Sequence, residues 1–306
     1  MPPADVLGVL ISRVAPIPHT WSDTIEVVVL QIRLPRILLG LGVGAALSVS
    51  GSAFQGLFRN PLVSPDILGV SAAAGFGAAL AILFSANNVM IQLASMAFGL
   101  LGVLLAYALS RVHRSSPVIM LVLAGVIVGS FFGALTSVTK YVADPEQKLP
   151  AITFWLLGSL GDASWLKVAY VGPVIVAGVA GLLLSGWQIN LLALGDEEAR
   201  ALGVRTELMK GVVIVCATLV TSAAVSVSGL IGWVGLVIPH VCRMIVGPDH
   251  RRLLPASVLV GAAFLLAIDN IARTATAAEI PLGILTAIVG TPFFAYLLRR
   301  TKGGWQ

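Results

Sequence analysis

Between Lys210 and Arg243 the chain reads GVVIVCATLVTSAAVSVSGLIGWVGLVIPHVC, with no charged residue in the whole stretch. About 20 mainly apolar residues carry a helix across a bilayer. A run this long therefore enters the membrane, breaks and crosses again. Lipid offers no hydrogen bonds to backbone, so crossing segments are helices or closed barrels. Barrel strands are about ten residues long and alternate apolar with polar. This run does neither, and helices follow.

The same pattern recurs along the chain. Nine spans are expected at 37–57, 67–85, 89–109, 117–139, 165–184, 208–228, 230–246, 253–272 and 281–298. Only 11% of residues are charged and 58% are hydrophobic, against about 25% charged in soluble domains. Glycine is abundant at 32 residues, and runs such as GVSAAAGFGAAL let helices approach closely. Residues 151–160 (AITFWLLGSL) are apolar but too short to span, and suit a short helix within an outer segment at 144–164. The expected fold is all-α: one transmembrane domain over 1–306, a polytopic helical bundle. Cys216 and Cys242 lie inside apolar runs and read as small packing residues.

Charge orients the bundle. The C-terminal LLRRTKGGWQ carries Arg299, Arg300 and Lys302, which the positive-inside rule places in the cytoplasm. Counting back through the spans adds Arg59, Arg111, Arg114, Arg200, Arg205, Lys210, Arg243, Arg251 and Arg252, so twelve of the 19 basic residues lie inside. Nine spans then put the N-terminus outside, although no signal-peptide pattern precedes the first span.

Against this background ALGDEEARALGVR (193–205) stands out as a charged interruption on the inner side. Asp196, Glu197 and Glu198 favour a helix N-terminus, Arg200 its C-terminal half, and Gly203 a stop. Asp196 and Arg200 have the i,i+4 spacing of a helical ion pair. A loop joining two spans needs no such helix; a docking element does. At the outer side, RLPR sets Arg33 and Arg36 three residues apart. Both suit either lipid headgroups or carboxylates of a partner, which a planar guanidinium binds bidentately. Pro61 and Pro65 stiffen an inner hairpin, with Asp66 placed to cap the next helix. Asp269 and Arg273 have i,i+4 spacing, and Glu279 follows; an acid within a span is a functional candidate, here weighed against pairing with Arg273. Gly125, Gly129, Ser130, Gly133, Thr136 and Ser137 form a small, mildly polar face on span 117–139. That face suits a translocation pathway or ordinary helix packing. His240 and Cys242 are two residues apart and fall on different helix faces, which argues against a metal site. No GxxxxGK[ST] phosphate loop and no Ser/His/Asp or HExxH arrangement occurs, so no catalytic residue is assigned.

Three stretches in order, RLPRILLGLGVGAALSVSGSAFQGLFRNPLVSPDILGVSAAAG, LGDEEARALGV and GLIGWVGLVIPHVCRMIVGPDHRRLLPAS followed by AEIPLGILTAIVGTPFFAYLLRR, resemble the FecCD-type permeases of ABC importers for iron-siderophores, haem and cobalamin. The likeness covers nearly the whole chain. It implies a ten-span fold, of which the span before DVLGVLISR is absent here. It also implies a homodimer in a bacterial or archaeal cytoplasmic membrane, two cytoplasmic ATPase subunits, and a periplasmic binding protein that delivers the substrate. By the same resemblance Leu194, Gly195, Asp196, Glu197, Glu198, Ala199, Arg200, Leu202 and Gly203 couple to the ATPase. Arg33, Arg36 and Arg273 match arginines that pair with glutamates of the binding protein. ATP and magnesium belong to the ATPase partner, leaving this chain without a cofactor or metal, without enzymatic activity, and without a nucleic-acid role. Molybdate or tungstate is the alternative cargo within the family. The competing class is an ion-coupled secondary transporter using Asp269.

Overall fold

The computed structural model describes residues 1–16, 18–110 and 117–300. Arg111, Arg114 and Lys302 lie outside the described residues, as do the side chains of Arg299 and Arg300. The described chain is helical, in the order α1 (Pro3–Ile11), α2 (Asp23–Val27), a π-helical turn (Val28–Arg33), α3 (Leu34–Leu57), a 3-10 turn (Pro65–Leu68), α4 (Val70–Leu83), α5 (Asn88–Ser110), α6 (Pro117–Val142), α7 (Lys148–Leu157), α8 (Trp165–Leu184), α9 (Gly186–Leu194), α10 (Asp196–Ala201), α11 (Thr206–Ser228), α12 (Val234–Val246), α13 (His250–Thr274) and α14 (Leu282–Arg300). The ends of the bundle are called inner and outer here, following the charge bias.

Helix α3 is the axis of the molecule. Nineteen of its 24 residues are buried, because Gly, Ala and Ser recur on every side and admit neighbours to backbone distance. A Cβ on Gly44 would sit 2.2 Å from the Gly261 carbonyl oxygen of α13, and one on Gly51 1.9 Å from that of Gly235 in α12. Such contacts hold helices together where lipid supplies no hydrophobic drive. Buried hydroxyls add cross-links: Ser52 with Ser257 at 2.7 Å and Thr221 to Ser50 at 3.1 Å. Helices α4, α5 and α6 pack together beside this group around Phe76, Phe98 and Phe132. Helix α11 touches both sets.

All nine expected spans are helices, with adjustments. Among the described residues, six helices are long and apolar enough to cross a membrane. The expected span 67–85 shrinks to the 14 residues of α4, because Pro65–Leu68 winds as a 3-10 turn and Gly69 adopts φ +77°. Asp66 therefore caps no α-helix; it accepts a hydrogen bond from the Ser71 hydroxyl. The expected span 230–246 begins late, at Val234, because Gly229 and Trp233 take positive φ values. Irregular backbone at membrane depth survives only when buried in protein. Here Ser159 N donates to Ser228 O at 2.7 Å and Leu282 N to Gly158 O at 2.8 Å. The ends of α7 and α11 and the start of α14 are thereby tied together. A side chain at Gly229 would meet the Trp155 carbonyl at 2.2 Å. The short outer helix expected at 151–160 is present as α7, shifted to Lys148–Leu157.

At the outer end α2, the π turn and α3 run as one helix, Asp23–Leu57. Its 35 residues amount to about 50 Å at about 1.5 Å each, well beyond the roughly 30 Å of a bilayer core. Helix α1 folds back on it through Val9, Trp21 and Val29.

Candidate coupling surface and outer charge cluster

At the inner end, α9 and α10 form a bent pair between α8 and α11. The sequence reading assigns no separate helix to 186–194. Its signal is the Ser185–Gly186 pair following a full-length apolar run. Helix α10 ends at Ala201, and Gly203 at φ +84° makes the expected stop. Its fixing differs from the expected Asp196–Arg200 pair. Asp196 instead pairs with Lys210 of α11, and Arg200 Nε donates to Thr206 Oγ1 at 3.1 Å. Lys210 is buried and needs a carboxylate beside it, so Asp196 is drawn to it. Both ends of α10 are stapled to the start of α11, through Lys210 and Thr206, with Ala199 buried between them. What remains outside is a ridge of Leu194, Glu197, Glu198, Arg200, Leu202 and Gly203, all exposed; Gly195 is buried in the bend. A cleft of about 300 Å³ opens beside the ridge, lined by Trp187, Leu191, Leu202, Leu208 and Met209. Exposed apolar residues interleaved with charges mark an interaction surface.

Behind this surface Asn190 of α9 reaches the start of α13. Its Nδ2 donates to Asp249 Oδ1 at 2.5 Å, and its Oδ1 accepts from His250 N at 2.8 Å. Asp249 also accepts from Arg251 N, capping α13. The Arg251 N–H and then the Asn190 amide hold the Asp249 carboxyl below its ordinary range.

At the outer end lie the charged residues singled out in the sequence. Arg33 is exposed. The expectation that Arg36 stands at the surface beside it is corrected: Arg36 is only 6% exposed. Its Nη2 donates to Asp269 Oδ1 and to Glu279 Oε2, each at 2.8 Å, and its Nη1 donates to Glu279 Oε1 at 2.9 Å. The π turn ends at Arg33, so α3 proper starts between the two arginines. Arg36 then falls on the side of α3 that packs on α13. Arg273 lies half-buried, its Nε 3.2 Å from Asp269 Oδ2, the expected i,i+4 pair. Two arginines thus share Asp269, whose side chain is 2% exposed, while Glu279 is half-exposed at the rim. An acid neutralised on both sides is a poor cation site, which disfavours the ion-coupled reading. Glu279, 243 residues from Arg36, carried no sequence signal for this pairing.

The candidate pathway face of α6 divides. Gly125 and Gly129 serve packing: a Cβ on Gly125 would lie 2.2 Å from the Ile67 carbonyl, and Gly129 faces Gly69. Ser130, Gly133 and Ser137 are exposed along one side, and Thr136 is half-buried with its hydroxyl bonded to Phe132 O.

The FecCD transport family is matched over residues 1–300. The molybdate import system permease protein of Haemophilus influenzae is 43% identical over 90% of this chain and 82% of its own. The cobalamin import system permease protein of Halobacterium salinarum is 44% identical over 94% of this chain and 78% of its own. The hemin transport system permease protein of Yersinia pestis is 41% identical over 93% and 84%. A solved inward-facing structure of a metal-chelate-type ABC transporter superposes with a TM-score of 0.86 at 39% identity, covering 97% of this chain and 99% of that one. This chain belongs to the FecCD family: it is a multi-pass membrane permease of the ABC importer class.

Proposed function

We propose that two copies of this chain form the membrane channel of an importer in a bacterial or archaeal cytoplasmic membrane. Two cytoplasmic ABC ATPase subunits drive it with ATP and magnesium, and a periplasmic binding protein loads it. The cargo is an iron chelate (siderophore or haem), cobalamin or a related metal-containing molecule. The observation that carries the reading is the α10 ridge, stapled to α11 on one side and presenting charge and leucine on the other. A helix held this way transmits force instead of yielding to it. Leu194–Gly203 seat on the ATPase, Arg33 and Arg273 face carboxylates of the binding protein, and Ser130, Gly133 and Ser137 line the path between the two copies. Arg36 supports the outer face from within.

The test is ATP-driven uptake, measured together with co-purification of the cognate ATPase, after Gly203→Pro. Proline fixes φ near −65° and cannot take the +84° found at Gly203. Loss of ATP-driven uptake is expected; full uptake with an intact complex contradicts the docking role. A second cargo class, molybdate or a related oxyanion, is supported by the 43% identity to the Haemophilus influenzae permease. Identifying what the cognate binding protein captures separates the two.

A further inference from the structure

Asn190 sits at a three-way junction at the inner end. It belongs to α9, which leads directly into the α10 ridge. It holds Asp249 through its amide nitrogen and the His250 backbone through its oxygen, and His250 Nδ1 lies 2.9 Å from that same oxygen. The orientation is unambiguous, because the carboxylate only accepts and the backbone N–H only donates. Packing at the junction is tight. A Cβ on Gly186 of α9 would meet His250 O at 3.3 Å, and one on Gly56 of α3 would meet His250 Nε2 at 2.4 Å and Ile189 of α9 at 2.6 Å. Helix α13 runs from this junction to the outer charge cluster. Along the way it is locked to α3 by the Gly44–Gly261 contact, the Ser52–Ser257 bond and the Arg36–Asp269 pair.

We propose that Asn190 is a positioning residue, the joint through which the α9–α10 element moves α13 and α3 as one body, so that motion at the inner surface reaches the outer cluster. The proposal rests on the reading that α10 docks an ATPase. Asn190 itself is half-buried and turned toward α13, away from the exposed ridge. Its loss therefore leaves docking intact and breaks transmission.

The experiment uses the permease with its ATPase and binding protein in proteoliposomes, measuring ATPase retention, hydrolysis and uptake per ATP. In Asn190→Asp two carboxylates face each other. ATPase retention and hydrolysis are expected to persist, while uptake per ATP falls about tenfold, the order that loss of a charge-assisted hydrogen bond implies. The exchange pair Asn190→Asp with Asp249→Asn removes the facing carboxylates and again sets an amide against a carboxylate; because Asp249 Oδ1 serves both Asn190 and Arg251 N in the wild type, uptake per ATP is expected to recover in part. An unchanged ratio in Asn190→Asp, or no recovery in the exchange pair while the ATPase stays bound, overturns the proposal. If Asn190→Asp does not assemble, Asn190→Ala removes the joint without adding charge, and wild-type uptake per ATP there overturns it equally. A wild-type chain that retains no ATPase would instead sink the docking reading beneath it.

Discussion

Arg33 and Arg36 differ by three positions and by everything around them. Arg36 is enclosed with Asp269 and Glu279, so Arg36→Met leaves a buried carboxylate one arginine short. Breaking a buried pair from one side costs about 3–5 kcal/mol. A marked drop in the unfolding temperature of the detergent-solubilised protein is expected. Asp269→Asn in the same chain should recover part of it, because the cluster again holds as many acids as arginines. An undiminished melting temperature in Arg36→Met would mean the cluster is not structural. Arg33→Glu should leave stability unchanged, since exposed charges contribute little. It should weaken binding-protein capture about tenfold or more at low salt, with the difference shrinking as salt rises. Surface capture on nanodisc-embedded protein measures both; salt-independent affinity would remove Arg33 from the interface.

The helices were legible because hydropathy over about 20 residues reports burial in lipid directly, and the Asp269–Arg273 pair because i,i+4 spacing lies within one helix. What escaped depends on backbone geometry or on distant partners. The Val28–Arg33 π turn leaves no composition signature, and without it Arg36 reads as Arg33's neighbour. The late start of α12 rests on Trp233 at φ +70°, a conformation unfavourable to a bulky side chain. Lys210 captures Asp196 across a bend that spacing rules do not see. The α3–α13 crossing yields a test at this scale. A Cβ on Gly261 would stand 2.4 Å from Ser48 Cβ and 2.5 Å from Gly44 O, so Gly261→Val must push two helices apart. Overpacking of this kind costs about 1–3 kcal/mol. Gly211 in α11 has nothing within 4 Å of an added Cβ, and Gly211→Ala should be neutral or slightly stabilising, given alanine's helix preference. Equal melting shifts for the two variants would show that the crossing is looser than drawn.

Across the whole molecule, the outer charge cluster, the α3–α13 pair and the inner α9–α10 element form one continuous line, while α6 packs on α4 and α5 and leaves its side with Ser130, Gly133 and Ser137 exposed. That division suits a machine in which one part is gripped and another lines a path. The central claim is that the chain moves cargo only under the drive of an ATPase seated at 194–203. The most direct measurement is uptake into proteoliposomes containing this chain, with its cognate ATPase and binding protein each present or withheld. The account predicts ATP-dependent accumulation only when all three are present, and its loss in Gly203→Pro. Accumulation driven by a proton or sodium gradient with the ATPase withheld would contradict it.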